Sequence, residues 1–176
     1  MTDPRSRIIQ AMRSLCEEKN VDKISVSEIT ELAGVSRQTF YKYFQDKYDL
    51  ALAVYVEDVF RRADAGYRKD RDFKQMVLVI LQTVRESPRV YQTLFRNTDS
   101  QNSFMALWHE FSVDQACNSI GRANVTPDLH ILVDAWTAGT DKIFSDWVLG
   151  GMKESEERIL EYFVRLTPME IREYLM

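Results

Sequence analysis

Residues 25–47 read SVSEITELAGVSRQTFYKYFQDK, and the order of caps and apolar residues in this stretch decides the fold. Ser25 followed by Glu28 forms a capping box, in which the two side chains satisfy free backbone N–H groups, so a helix is expected from about Val26. Val26, Ile29, Leu32 and Ala33 recur at helical spacing and give that helix a buried face. Gly34 ends it, because the position after a helix favours positive φ. Ser36 is then an N-cap, and a second helix is expected from Arg37 to Phe44. Two short helices joined by a glycine turn are the helix-turn-helix plan.

The second helix sorts its chemistry by face. At roughly 100° per residue, Phe40, Tyr43 and Phe44 share one side and should pack on the first helix. Gln38 and Lys42 centre the other side, with Thr39 and Tyr41 beside them and Arg37 at the leading edge. These side chains suit a DNA major groove: arginine can fork to guanine, glutamine can pair with adenine, and threonine can meet a thymine methyl. Tyrosine and lysine suit phosphates. An ordinary solvated helix carries similar residues, so the face alone does not decide the matter.

The stretch VSRQTFYKYFQDKYDL, residues 35–50, together with ISVSEITELAG before it, resembles the signature of the TetR/AcrR family of transcriptional regulators. The resemblance is specific from residue 5 to about residue 55. It implies an all-α fold, with an N-terminal three-helix helix-turn-helix DNA-binding domain over 1–47. A C-terminal helical ligand-binding and dimerisation domain would span 48–176, of which 48–65 is a connecting helix. On this basis the DNA-binding residues are expected to be Ser25, Ser27, Ser36, Arg37, Gln38, Thr39, Tyr41, Lys42, Tyr43 and Lys47. The implied function is that of a homodimeric repressor on a near-palindromic operator of double-stranded DNA, released by a small-molecule effector. FQDKYDL and the last forty residues resemble a branch that includes activators of dihydroxyacetone-kinase operons, so the alternative is an activator that senses a partner protein.

An effector pocket of this kind is mostly apolar with a few convergent polar groups. Tyr91, Phe95, Trp108, Phe111, His130, Asp134 and Trp136 are its expected lining, with His109 as a further polar candidate. Aromatic residues at helical spacing equally build an ordinary core. No cofactor and no metal is expected. His109-Glu110 does not begin an HExxH motif, because position 113 is Val. There is no glycine-rich phosphate loop and no nucleophile elbow. An enzyme is therefore not the expected reading.

Composition agrees. The chain has 176 residues, 45% hydrophobic and 28% charged, as in soluble globular proteins. Its start, MTDPRSR, does not resemble a signal peptide, and its apolar runs are far shorter than a membrane span, so a cytoplasmic location without membrane partners is expected. Cys16 and Cys117 fall at apolar helix positions and read as buried thiols. The net charge is −4, yet residues 1–50 carry eight basic and eight acidic groups and the excess acid lies beyond them. From Ser36 to Lys47 three cations face only Asp46, which leaves a positive edge where DNA would lie.

Along the rest of the chain, Asp3-Pro4 starts a first helix through Ile8, Ile9, Met12, Leu15 and Cys16, and Asn20 to Lys23 reads as a loop. Asp46 caps a connecting helix that runs towards Ala63, with Lys47 at its N-terminus placed for a phosphate. Gly66 to Arg71 reads as the boundary between halves. Further helices are expected after Phe73, Pro88, Phe104, Thr126, Ser155 and Pro168, with a loop at Asn97 to Asn102. The helix from Pro127 to Leu149 is apolar on more than one face, since Ile131, Ala135 and Ala138 lie off its Leu132–Trp136–Ile143 stripe. Such a helix needs cover on two sides, and together with the helix around Ile159, Leu160 and Phe163 it is the expected dimer interface.

Overall fold

A computed structural model of the chain describes residues 3–70, 72–96 and 104–175. All regular structure among them is helical. The head is built from α1 (Pro4–Glu18), α2 (Val26–Ala33) and α3 (Arg37–Tyr43). The Asp3 carboxylate starts α1 by accepting the N–H groups of Arg5 and Ser6 at 3.0 and 3.1 Å. The capping box of α2 is closed: Ser25 Oγ accepts from the Glu28 N–H at 3.3 Å, and the Glu28 carboxylate accepts the Ser25 N–H at 2.8 Å. Lys19 pairs with the same carboxylate and, with Ser25, holds its pKa down to about 2.

At the other end of α2, Gly34 adopts φ 62° and ψ 42°, a left-handed conformation that costs any residue with a Cβ about 1–2 kcal/mol. Arg7 reaches over the turn and donates to the carbonyls of Ala33 and Gly34 at 3.0 and 3.2 Å. Carbonyls at a helix end have no partner within the helix, and Arg7 supplies one. Phe40 and Phe44 are buried beneath α3. Phe44 itself is extended, so α3 ends at Tyr43, one residue short of the expected end. Asn20 to Lys23 is a tight 3₁₀ turn, Val21–Lys23, with Val21 pinned in the core.

The connecting segment departs from the sequence expectation in two ways. α4 (Lys47–Tyr55) runs into a π-helical turn, Val56–Phe60, in which the Arg61 N–H bonds the Val56 carbonyl five residues back. The chain then continues as α5 (Arg61–Asp70) straight through Gly66. Of the stretch Gly66 to Arg71 expected as a boundary, residues up to Asp70 are helical, and the break comes at its far end, before α6 (Phe73–Glu86). Arg71 lies outside the described residues. α5 packs along α6 and buries Ala63 and Tyr67. That burial outweighs the helix penalty of one glycine, about 1 kcal/mol.

The remaining helices are α7 (Pro88–Phe95), α8 (Phe104–Ile120), α9 (Pro127–Leu149), α10 (Glu156–Leu166) and α11 (Met169–Leu175). The loop expected at Asn97–Asn102 lies outside the described residues. α8 packs on α9, α4 on α8, and α10 on both α6 and α9. Because α1 also packs against α7, the buried side chains form one cluster that runs from Ile8 to Leu175. The core does not break at residue 47; head and body share it. Cys16 and Cys117 are buried free thiols, and burial pushes the pKa of Cys16 up to about 12. Among the described residues no helix is long and apolar enough to cross a membrane.

Gly34→Ala should cost about 1–2 kcal/mol, because the added Cβ forces the left-handed position and meets Arg7 Nη1 at 3.4 Å. Denaturant melts would show a lower midpoint with an unchanged slope; an unchanged midpoint would mean the turn relaxes at no cost.

Candidate nucleic-acid interface and effector cavity

The exposed arc of α3 runs Arg37, Tyr41, Gln38, Lys42 around the helix, and all four side chains are exposed. Ser27 lies beside it on α2, where its Oγ accepts from the Arg37 guanidinium. Ser36 Oγ caps α3 by accepting the Thr39 N–H at 3.1 Å, and the two hydroxyls also bond at 2.9 Å. The Thr39 hydroxyl is thereby occupied, and its methyl group is the part left to meet another surface. The Gln38 side chain makes no hydrogen bond among the described residues, so its amide stands ready for an outside partner. Tyr43 is half-buried, with Lys42 over its ring at 5.8 Å. Ser25 is engaged in the cap of α2.

Lys47 stands at the N-terminus of α4 as expected, but its ammonium group is already engaged. Its Nζ donates to the carbonyls of Asp22 and Ile24 at 2.7 and 3.1 Å, and Tyr48 Oη donates to Asp22 Oδ1 at 2.9 Å. The start of α4 is thus stapled to the turn before α2. The Asp46 carboxylate accepts the N–H groups of Tyr48 and Asp49 at 2.7 and 2.9 Å, which fills the position where a phosphate would bind. Lys47 acts here as an internal tie that fixes the head to its connecting helix.

In the body, a cavity of about 120 Å³ lies among α5, α6, α8 and α9 and the π-helical turn. Of the residues expected to line a pocket, Trp108, Phe111 and Trp136 border it. Tyr91 and Phe95 do not: both are in the closed core, where Phe95 packs edge-on against Trp108 at 4.7 Å. Burial raises the Tyr91 pKa. His130 and Asp134 sit with His109 on a separate outer groove of about 490 Å³. Residues that sequence reasoning did not select include Tyr55, Phe60, Thr137, Thr140 and Asp141. The sequence held one signal for the last three: Thr137, Thr140 and Asp141 are polar groups on the same face as Trp136 and Phe144, a face otherwise suited to core.

His109 joins the cavity to the outer groove. Its Nδ1 lies 2.7 Å from Asp141 Oδ2 and its Nε2 3.1 Å from Asp134 Oδ1, so one imidazole on α8 bridges two carboxylates of α9. Partial burial disfavours the charged ring, but the hydrogen bonds and charges of Asp141 and then Asp134 outweigh it and raise the pKa. Burial, opposed by His109, raises Asp141 to about 6. Among the described residues no group of three or more His, Cys, Asp or Glu is arranged to hold a metal ion.

The fold and this exposed arc define a helix-turn-helix DNA-binding protein with a helical second half. Comparison with known proteins places it more closely. Residues 8–54 match the family described as bacterial regulatory proteins, tetR family. The HTH-type transcriptional regulator EthR of Mycolicibacterium smegmatis is 35% identical over 65 residues, 37% of this chain and 30% of that protein. The HTH-type dhaKLM operon transcriptional activator DhaS of Lactococcus lactis subsp. lactis is 28% identical over 102 residues, 57% of this chain and 54% of that protein. The aligned stretches thus span from about a third to about half of these relatives' own length. Beyond the head the likeness is one of fold: a TetR transcriptional regulator from Rhodococcus sp. RHA1 superposes with a TM-score of 0.68 at 15% identity, covering 97% of both chains. The head thus carries a tetR-family helix-turn-helix domain, and over the whole chain the likeness to TetR transcriptional regulators is one of fold.

Both shifts in the His109–Asp141 pair are upward, so both favour the proton-bound folded state. The pair's contribution is largest on the acid side and declines as pH rises through about 6 and then through the raised His109 value. Asp141→Asn should lower the His109 pKa and flatten this decline, while Asp134→Asn, at an exposed carboxylate, should do less. NMR titration of the ring protons measures both; an unshifted His109 pKa in Asp141→Asn would remove Asp141 as its principal partner.

Proposed function

We propose that the chain is a homodimeric, effector-controlled repressor that binds a near-palindromic operator and is released when a small molecule fills the cavity. The observation that carries this reading is the double engagement of the Val56–Phe60 turn. Phe60 borders the cavity, while Glu57 and Asp58 of the same turn grip Arg5 and Arg13 of α1 at 2.5 and 2.8 Å. Arg13 also donates to Ser87 Oγ between α6 and α7 at 3.2 Å. A ligand that displaces Phe60 would therefore act directly on residues that position the head. Its effect on DNA would be reciprocal, with DNA opposing the ligand by the same factor.

Two heads are needed because one short recognition helix touches too few base pairs to select a site. Helix-turn-helix dimers present two such helices about 34–36 Å apart. α9 offers the surface: Ile131 is 66% exposed, and Leu132, Ala135 and Ala138 lie exposed alongside it. Leu166 at the end of α10 and Met169 at the start of α11 extend the apolar area. Gly139 of α9 lies beside Leu166, at a distance where even a Cβ would make only ordinary contact, 3.7 Å, with Leu166 Cδ1.

A second reading, in which the protein activates transcription, is favoured by the likeness to DhaS, named an operon activator and matched over 57% of this chain. Where the bound site lies relative to its promoter separates the two readings, since a repressor's site overlaps the promoter and an activator's lies upstream.

Gln38→Ala should relax base preference at one position, losing about 1–3 kcal/mol on the preferred site. Lys42→Ala should weaken all sequences alike and reduce the salt slope by about one. Lys47→Ala should instead lower stability, through loss of its two carbonyl contacts. Binding-site selection followed by salt titration distinguishes these outcomes, and a changed base preference in Lys42→Ala would reverse the assigned roles.

Ala135→Glu combined with Ala138→Glu should give a folded monomer that binds the selected site very weakly. Light scattering gives the mass, and a double mutant that stays dimeric would place the interface elsewhere.

A further inference from the structure

The cavity makes a specific chemical demand. The chain has three tryptophans, and their indole N–H groups differ in what they meet. Trp147 Nε1 donates to the Glu154 carbonyl at 3.0 Å. Trp108 and Trp136 are as well buried, only 3% and 7% exposed, yet among the described residues neither indole N–H meets an acceptor in hydrogen-bonding geometry. The phenol of Tyr55 packs edge-on beside Trp108 at 6.0 Å between ring centroids. Its oxygen is near enough to the Trp108 N–H to offset part of the rise that burial gives the phenol pKa, but not in good hydrogen-bonding geometry, so Trp136 is the more fully unpaired of the two. Both orphaned donors belong to residues of the cavity wall. Buried donors are nearly always paired, so two unpaired ones around the same cavity mark a place where an acceptor is missing.

The other polar groups narrow the class. The Thr137 hydroxyl donates to the Val133 carbonyl, and the Thr140 hydroxyl to the carbonyls of Trp136 and Thr137. Their donors are thus spent on their own helix, and the donors left to a ligand are the two indoles, together with the Tyr55 phenol and the Ser119 hydroxyl that also border the cavity. Asp141 borders the cavity with one oxygen already bonded to His109. A ligand carboxylate would face that buried acid, which opposes it. An ammonium group would bring no acceptor to the indoles. The rest of the wall is largely apolar, with aromatic rings such as Phe60, Phe111 and Phe144 beside aliphatic side chains such as Ile80 and Leu81. At about 120 Å³, the space is of the scale at which an apolar protein cavity takes a single benzene ring, about 150 Å³.

We propose that the ligand of this cavity is an uncharged, single-ring aromatic compound whose oxygen, a carbonyl or ether, accepts from the indole N–H of Trp108 or Trp136. This rests on the reading of the cavity as the effector site. It goes further in naming the chemistry, and it places discrimination in two indoles and one carboxylate.

Four probes of nearly one size separate the parts: acetophenone, ethylbenzene, benzoate and benzylammonium. Each is titrated into the full native chain while the ¹⁵N–¹H signals of the three indoles are followed. Acetophenone should move the Trp108 or Trp136 signal downfield, leave Trp147 in place, and bind about 3- to 10-fold more tightly than ethylbenzene, the gain expected of one hydrogen bond. Benzoate and benzylammonium should bind more weakly than acetophenone. Trp136→Phe and Trp108→Phe keep a ring but delete the donor, and one of them should bring acetophenone down to the ethylbenzene level. Equal binding of acetophenone and ethylbenzene with unmoved indole signals would overturn the proposed class while leaving the cavity as a ligand site. Tighter binding of either charged probe would overturn its neutrality. Binding by none of the four would remove the cavity as a ligand site, and the proposal with it.

Discussion

One short segment, the π-helical turn Val56–Phe60, meets both the cavity and two arginines of α1. Glu57 accepts from Arg5 and also from Arg61, both at 2.5 Å, and Asp58 pairs with Arg13 at 2.8 Å. These pairs are partly exposed, and such pairs typically contribute no more than about 1 kcal/mol each. The far larger stabilisation comes from the apolar packing of α1 against α2, α4 and α7. The pairs therefore aim the head rather than hold it on. A bond to the carbonyl five residues back widens the helix locally, and such turns are found disproportionately at functional sites. Here the widened turn sets Phe60 toward the cavity while Glu57 and Asp58 face α1.

The same economy of contacts appears in the body. α9 carries opposite duties on opposite faces: Trp136, Thr140 and Phe144 close the cavity, while Ile131, Ala135 and Ala138 are left exposed. Between them, Asp141 and Asp134 share His109 with α8. A change in what Asp141 meets inside the cavity is therefore felt by a charged group outside it, about one ring's width away.

Much of this was legible in residues 3–50, because caps and turns obey local rules. Asp3, Ser25, Ser36 and Asp46 each accept the N–H groups that their positions predict, and Gly34 takes the left-handed conformation. What the sequence withheld was tertiary. No proline or glycine marks the π-helical turn, so nothing between Val56 and Phe60 distinguishes it from regular helix. Gly66 signalled a break that packing against α6 overrode. Lys47 was at the expected place, but only the fold shows that two carbonyls already occupy its ammonium group. Aromatic spacing could not separate Phe95, which is sealed in the core, from Phe111, which borders the cavity, since both sit on apolar helix faces. Thr137, Thr140 and Asp141 were the readable sign, polar groups on a stripe that should have been apolar.

The central claim is that cavity and head communicate through Val56–Phe60 and its two ion pairs. Hydrogen exchange tests it most directly, comparing backbone amides with the cavity empty and with it filled by acetophenone or ethylbenzene. The comparison is made in the native chain and in a variant carrying Glu57→Gln and Asp58→Asn. Filling the cavity should alter exchange at Val56–Phe60 and at Arg5–Met12 together in the native chain, and at the turn alone in the variant. A change at the turn that leaves α1 untouched in the native chain would contradict the account.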